Sequence, residues 1–284
     1  AWLAGIAFRG WSTASLTFDY RNSSRDVSDY TGNIPYLASH VPGTVEPDEW
    51  ENHPMLRKYF LTDRDRIEYR GRLDFFPNPE LNVGFAAAKF EDDYGDGYFG
   101  LNKAEIETWT IDAGWYPQDH IALTGFYTQE NYDASQTGRS FRNQGTSEDP
   151  ENDWAADTRD KVTTYNLALT FSDMGADKGW SGVNFGIDFT FSDTNSAIKV
   201  TAVDFDTAPL PDLVTRMKTY SIWGSVDTGA HSSLRLSAER ARLLTTDWGL
   251  DGVEPDLLAN VLLLGESAAN YDVWLISGSW SYRF

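Results

Sequence analysis

Eleven segments of this chain read as strands, the first a short apolar run from Trp2 to Phe8 and the others alternating apolar and polar residues with period two, and that recurrence constrains the fold more than any other feature. Period two places successive side chains on opposite faces of a β-strand. The clearest case runs from Val183 to Phe191. There Val183, Phe185, Ile187, Phe189 and Phe191 oppose Asn184, Gly186, Asp188 and Thr190. The same reading puts Leu81, Val83, Phe85 and Ala87 on one face of one segment, and Trp109, Ile111, Ala113 and Trp115 on one face of the next. Two more give Ile121, Leu123, Gly125 and Tyr127, then Tyr165, Leu167, Leu169 and Phe171. In the last segment Trp274, Ile276, Gly278, Trp280, Tyr282 and Phe284 oppose Val273, Leu275, Ser277, Ser279, Ser281 and Arg283.

The connections between these segments also alternate. Short turns carry proline or glycine, as at Pro77-Asn78-Pro79, Tyr116-Pro117 and Thr228-Gly229-Ala230. Long polar stretches separate the other pairs, among them residues 22–54, the acidic EDDYGDGYFGLNKAE, a loop before Tyr165, and residues 245–269. This order predicts an all-β fold, an antiparallel up-and-down transmembrane β-barrel with short periplasmic turns and long outer loops. A soluble sandwich would mix its connection lengths. The closing segment resembles the C-terminal strand that the outer-membrane assembly machinery reads, with Phe284, Tyr282 and Trp280 as the signal. Its direction places odd strands descending toward the periplasm.

Composition agrees. No run approaches the ~20 apolar residues of a membrane helix, whereas barrel strands need only about 10 alternating ones. Aromatic residues make up 14% of the chain. Trp109, Trp115, Tyr116, Tyr127, Tyr165, Trp274 and Tyr282 fall toward the ends of the segments, where interfacial rings belong. A net charge of −20 argues against nucleic acid as a partner, since a phosphate backbone calls for a basic patch. With no cysteine, the chain has no disulfide, no zinc–thiolate site and no covalent haem attachment of its own.

One polar face stands out: Arg64, Arg66, Glu68, Arg70, Arg72 and Asp74. A midplane arginine facing lipid costs about 2–4 kcal/mol, so this row faces a wet lumen or a protein inside it. Two readings stay open, a solvated wall with balanced charges and a docking surface for a lumenal partner. For catalysis the chain offers little. His40, His53, His120 and His231 have no metal-ligand spacing, and no serine sits in a nucleophile motif. Glu91, Asp92, Asp93 and Asp96 are carboxylates of the kind that bind calcium, though a solvated acidic face explains them as well. Phe76-Pro77 and Tyr116-Pro117 recur forty residues apart, which one hairpin pair accounts for.

Three stretches carry a family resemblance: LRKYFLTDRDR from Leu56 to Arg66, the turn and strand FFPNPELNVGF, and the run from DDYGDGYFGLNKAE to YDASQTGR. They are similar to the MtrB/PioB outer-membrane barrels associated with multihaem cytochromes. The resemblance implies a barrel in the bacterial outer membrane that sheathes a periplasmic decahaem cytochrome and supports electron transfer across that membrane. An extracellular cytochrome is a further possible partner. Haem would be carried by the partner and not by this chain. The alternative function is a general diffusion porin. Housing a folded protein takes roughly twenty strands or more, so residues 1–284 are expected to be either one barrel domain or the C-terminal portion of a larger one.

Overall fold

The computed structural model describes residues 1–27, 53, 55–95, 97, 99–140, 144–175, 182–203, 210–247 and 270–283. Twelve strands run through them: β1 (Trp2–Phe8), β2 (Ala14–Arg25), β3 (Leu56–Arg57), β4 (Arg64–Asn78), β5 (Leu81–Asp93), β6 (Phe99–Gln118), β7 (Ile121–Arg139), β8 (Asp153–Met174), β9 (Val183–Ala202), β10 (Leu213–Gly229), β11 (Ser232–Thr246) and β12 (Tyr271–Tyr282). Eleven of them pair antiparallel in chain order as a single up-and-down sheet, with β1 and β12 at its two ends. These eleven are the alternating segments of the sequence. The extra strand, β3, has two residues and pairs in parallel with the start of β6, Leu56 beside Phe99 and Arg57 beside Gly100.

The strands are longer than their alternating cores. β6, β8 and β9 have 20, 22 and 20 residues. The acidic stretch expected as a loop after Glu91 is strand on both sides: β5 continues to Asp93 and β6 begins at Phe99. Likewise most of the polar residues before Tyr165 are strand, leaving only 140–152 between β7 and β8. The reason is physical. Where both faces of a sheet meet water, the ladder of backbone hydrogen bonds persists but the apolar alternation that marks a strand in sequence does not.

Register divides the side chains into two faces. On one, Leu169, Ile187, Ile222, Ala238 and Ile276 stand opposite one another in successive strands. Leu167, Ile187, Ile222 and Leu236 are each more than half exposed, a patch far larger than a water-soluble surface carries. This is the lipid face. Its apolar run covers Ile121 to Tyr127 on β7, Tyr165 to Phe171 on β8 and Phe185 to Phe191 on β9. Each is about seven residues, or about 23 Å at the usual strand rise, which matches the ~25 Å band of outer-membrane barrels. Above it the same face turns polar at Glu107, Gln129, Thr163, Asp193, Lys218 and Arg240.

An aromatic girdle marks that upper boundary. Tyr20 packs on Tyr69 (5.2 Å between ring centroids), Trp109 on Tyr127 (5.0 Å), Tyr165 on Phe191 (4.9 Å) and Phe189 on Tyr220 (4.8 Å). Trp109, Tyr127 and Tyr165 therefore sit mid-strand and not toward strand ends, because the strands continue outward past the membrane. A lower girdle holds Trp280 and Tyr282, 6.0 Å apart, with Phe171 stacked on Phe185 at 4.4 Å. Tyr116 differs from its expected belt position. Its hydroxyl lies 2.8 Å from where a Cβ on Gly114 would stand, which places it on the inner face.

Candidate functional site

The inner face is built from the alternate residues, and its chemistry is that of a wetted wall. Thr110 and Thr128 share a hydrogen bond of 2.9 Å across β6 and β7, and Thr164 and Ser192 share one of 3.1 Å across β8 and β9. Asn166 donates to Asp188 Oδ2 at 2.7 Å and to Thr190 Oγ1 at 2.9 Å. Hydroxyl pairs continue the pattern at Ser237–Ser277 and Ser233–Ser281, both 2.7 Å. Lipid could not satisfy these groups; water or a polar occupant can.

All six residues of the charged row, Arg64, Arg66, Glu68, Arg70, Arg72 and Asp74, lie on β4 and share this face. Each has an opposite charge at hand. Arg66 grips Asp92 of β5 with two bonds of 2.6 Å, the forked geometry that arginine and carboxylate favour. Arg64 Nε stands 3.7 Å from the same carboxylate, close enough for attraction but too far to donate. Arg70 pairs with Glu68 at 2.5 Å, and Arg72 with Asp74 at 2.7 Å and with Asp112 of β6 at 3.2 Å. Glu68 and Asp92 are buried at 7% and 6% exposure. Arg70 and Arg72 keep 58% and 44% of their side chains open to the lumen. Asp112 was not among the sequence candidates, and Asp92 was one only as a possible calcium ligand, not as a partner of this row. The available signal was their parity, which puts both on the lumen face opposite an arginine row.

Beside this row the wall is hollowed. Ala86, Ala88, Thr108 and Thr110 line a shallow cavity of about 280 Å³ rimmed by Asp19, Arg70 and Arg72. Gly84 completes the small-residue strip. A Cβ there would stand 2.6 Å from Arg72 Nη2 and from the Asp112 carboxylate, so glycine leaves the passage through which the pair meets.

A second construction closes over the outer end of the wall. The peptide carrying LRKYFLTDRDR leaves His53 and returns into β4. His53 is buried, accepts from the Met55 backbone N–H through Nδ1 at 3.1 Å, and faces the Ser147 carbonyl through Nε2 at 3.0 Å. With Nδ1 accepting, Nε2 carries the proton and donates. The His53 ring packs edge-on against Phe99 at 5.0 Å. Arg139 lies 5.3 Å over the same Phe99 ring, holds Asp153 through two bonds and donates to the Ser147 carbonyl at 2.9 Å. The bond to Asp153 holds the Arg139 guanidinium above the usual arginine range. Arg25 anchors the far end of the strap, donating to the Tyr59 and Thr62 carbonyls. Tyr59 and Phe60 are left more than half exposed.

The remaining sequence candidates do not converge. Asp92 faces inward to Arg66, Glu91 faces outward to Lys89 at 3.0 Å, and Asp93 accepts from the Gly95 backbone. Asp96 and His40 lie outside the described residues. Among the described residues no three His, Asp or Glu side chains gather to hold a metal ion. His120 and His231 sit at two of the short turns as expected, their carbonyls accepting from the Ser172 and Arg283 amides. Trp280 and Tyr282 stand on the lipid face of β12, while Phe284 lies outside the described residues.

Comparison with known proteins agrees with this architecture. The family described as "Putative outer membrane beta-barrel porin, MtrB/PioB" matches residues 1–284. The outer membrane protein MtrB of Shewanella baltica is 23% identical over 241 residues, which is 84% of this chain and 33% of that protein. The chain thus spans about a third of the length of the curated relative it matches. Among solved structures, the copper transporter OprC is similar at a TM-score of 0.55 and 12% identity, over 97% of this chain and 40% of that one. The ferripyoverdine receptor of Pseudomonas aeruginosa gives 0.52 and 12%, over 86% and 35%. At such identities these structures speak for the outer-membrane barrel fold alone.

Proposed function

Because the chain belongs to the MtrB/PioB family of outer-membrane β-barrels, we propose that it forms part of a sheath around a multihaem cytochrome, through which electrons cross the outer membrane. The reading gives the barrel no redox chemistry and no catalysis of its own. It supplies an insulated, wet-walled passage across ~30 Å of hydrocarbon, and the cytochrome supplies the conductor and all of the haem.

The observation that carries the proposal is the state of the inner wall. Among the described residues no large side chain is fully buried, although eleven strands stand side by side. A small barrel fills its interior with its own side chains; the polar, hollowed inner face of this sheet supports the reading that a partner stands against it. The charged row of β4 is also balanced by its own neighbours, so it can face a folded, hydrated protein at little electrostatic cost. Arg70 and Arg72, the most open of the row, are the residues offered to that partner. Glu68, Asp74 and Asp112 beside them allow either sign of partner group to be met.

A diffusion porin shares the fold and the polar wall, and the decisive difference is what passes. The full-length protein is reconstituted in liposomes loaded with a reducible dye, with and without its cytochrome, and a reductant too large to permeate is added outside. The sheath requires dye reduction only when both proteins are present, and no leak of small solutes through the assembled complex. Reduction by the barrel alone, or free solute passage through the complex, makes the porin the better account.

A further inference from the structure

Just above the girdle, on the lipid face, two cations stand directly opposite each other: Lys218 of β10 and Arg242 of β11. Side chains so placed have Cβ atoms about 5 Å apart, and like charges in that position repel. Elsewhere on this face such a conflict is resolved within the chain. Glu91 and Glu105 are also opposite each other, and Lys89 bridges them at 3.0 and 2.8 Å. Lys218 and Arg242 have no such bridge. Asp272 stands directly opposite Arg242 on β12 and attracts it, but both of its oxygens are held by Arg240, at 2.9 and 2.7 Å, and Asp193 is held by Arg216 at 2.9 Å. Among the described residues no carboxylate lies within ion-pair distance of Lys218 or Arg242. This leaves, among the described residues, a local excess of positive charge on the outer part of β10 and β11.

Its depth is also specific. Lys218 Nζ lies 5.6 Å from the Phe191 ring centre, and Arg240 lies 5.9 Å over Trp274. Tyr220 and Ile222 continue the lipid face immediately below. The cations are therefore held where hydrocarbon ends and headgroups begin, on the side of the long outer connections.

We propose that Lys218 and Arg242 form a binding site for a phosphate group of an outer-leaflet lipid headgroup, with Phe191, Tyr220 and Ile222 receiving the upper acyl chain. One bridging phosphate turns the cross-strand repulsion into two attractions. The commitment is to a lipid, because the cations border an apolar surface that a free anion would not use.

The test uses the full-length protein and its Lys218→Gln, Arg242→Gln double variant, both purified in neutral detergent. Diphosphorylated lipid A, its dephosphorylated form and inorganic phosphate serve as probes. Native mass spectrometry reads the bound lipid, and heat-dependent gel mobility checks that both proteins are folded. Each headgroup-level cation is worth about fivefold in affinity for anionic lipid, so the variant should bind lipid A about thirtyfold more weakly. Unchanged lipid A binding by the folded variant overturns the site. Equal retention of the dephosphorylated lipid overturns the role of phosphate, and displacement of lipid A by millimolar inorganic phosphate overturns the commitment to a lipid.

Discussion

Arg72 and Asp112 lie on strands that do not touch, yet Arg72 Nη1 stands 3.2 Å from Asp112 Oδ1, across the whole width of β5. Adjacent strands are spaced about 4.8 Å apart, so a link across two intervals needs a long side chain and an unobstructed surface. Gly84 supplies the surface. Both partners remain partly open to the lumen, so the pair is worth no more than a screened surface interaction. Asp112→Asn should cost about 0.5–1 kcal/mol in the parent protein and close to nothing when Gly84 is first replaced by leucine. Urea unfolding in lipid vesicles measures both. Equal costs in the two backgrounds would mean that Arg72 does not depend on the passage.

Asp92 is the more consequential carboxylate, since it is buried and answers both Arg64 and Arg66. Removing it strands two partly buried guanidinium groups. Asp92→Ala should destabilise by about 2–3 kcal/mol, somewhat under the range for a fully buried pair because Arg66 retains some solvent. Asp92→Glu should recover part of the loss. A cost under about 0.5 kcal/mol would place the pair among surface bridges of little consequence.

Sequence reading reached the fold through the membrane-depth residues and lost it above them. Val183 to Phe191 declares its two faces because lipid demands one and water the other. The residues above Gln129 or below Thr163 in number carry no such demand, and Asp133, Ser135, Asp157 and Arg159 read as loop although they are ladder. The charged row was legible for the same reason as the barrel, since arginines in a strand cannot face lipid. Its partners were not, because Asp92 and Asp112 become neighbours of β4 only once register is fixed. The strap from His53 to Thr62 had no period to read. It is held by contacts to Ser147, Phe99 and Arg25, which lie far from it in sequence.

Those two regimes can be told apart with single introduced cysteines carrying spin labels. Phe185 should contact lipid and Asp188 should be open to water, as their opposite faces on β9 require. Ser135 lies on the outward face of β7, like Leu123, but above the girdle. Its label should be water-exposed, and in whole cells it should react with a reagent that cannot cross the outer membrane. Water access at Phe185 with lipid contact at Asp188 would reverse the register, and a lipid-buried Ser135 would return the upper strands to the membrane.

The strap makes the last prediction. His53 is the residue that ties it down, joining the Met55 amide on one side to the Ser147 carbonyl on the other, and packing on Phe99. Replacing it with alanine leaves the Met55 amide without its acceptor, leaves the Ser147 carbonyl to Arg139, and opens a gap beside Phe99, a loss of about 2–3 kcal/mol in local terms. The eleven-strand sheet does not depend on it, because its ladders run elsewhere. Opening should therefore be local. The Leu56 amide donates to the His53 carbonyl and the Phe99 amide to the Met55 carbonyl. In His53→Ala both should exchange hydrogen about tenfold faster or more, while amides in the middle of β8 keep the parental rate. His53→Gln has a side-chain amide that can accept at one end and donate at the other, and it should restore part of the protection. Faster exchange throughout the sheet would make His53 a support of the whole wall, and unchanged exchange at Leu56 and Phe99 would mean that the parallel β3–β6 bridge holds the strap without it.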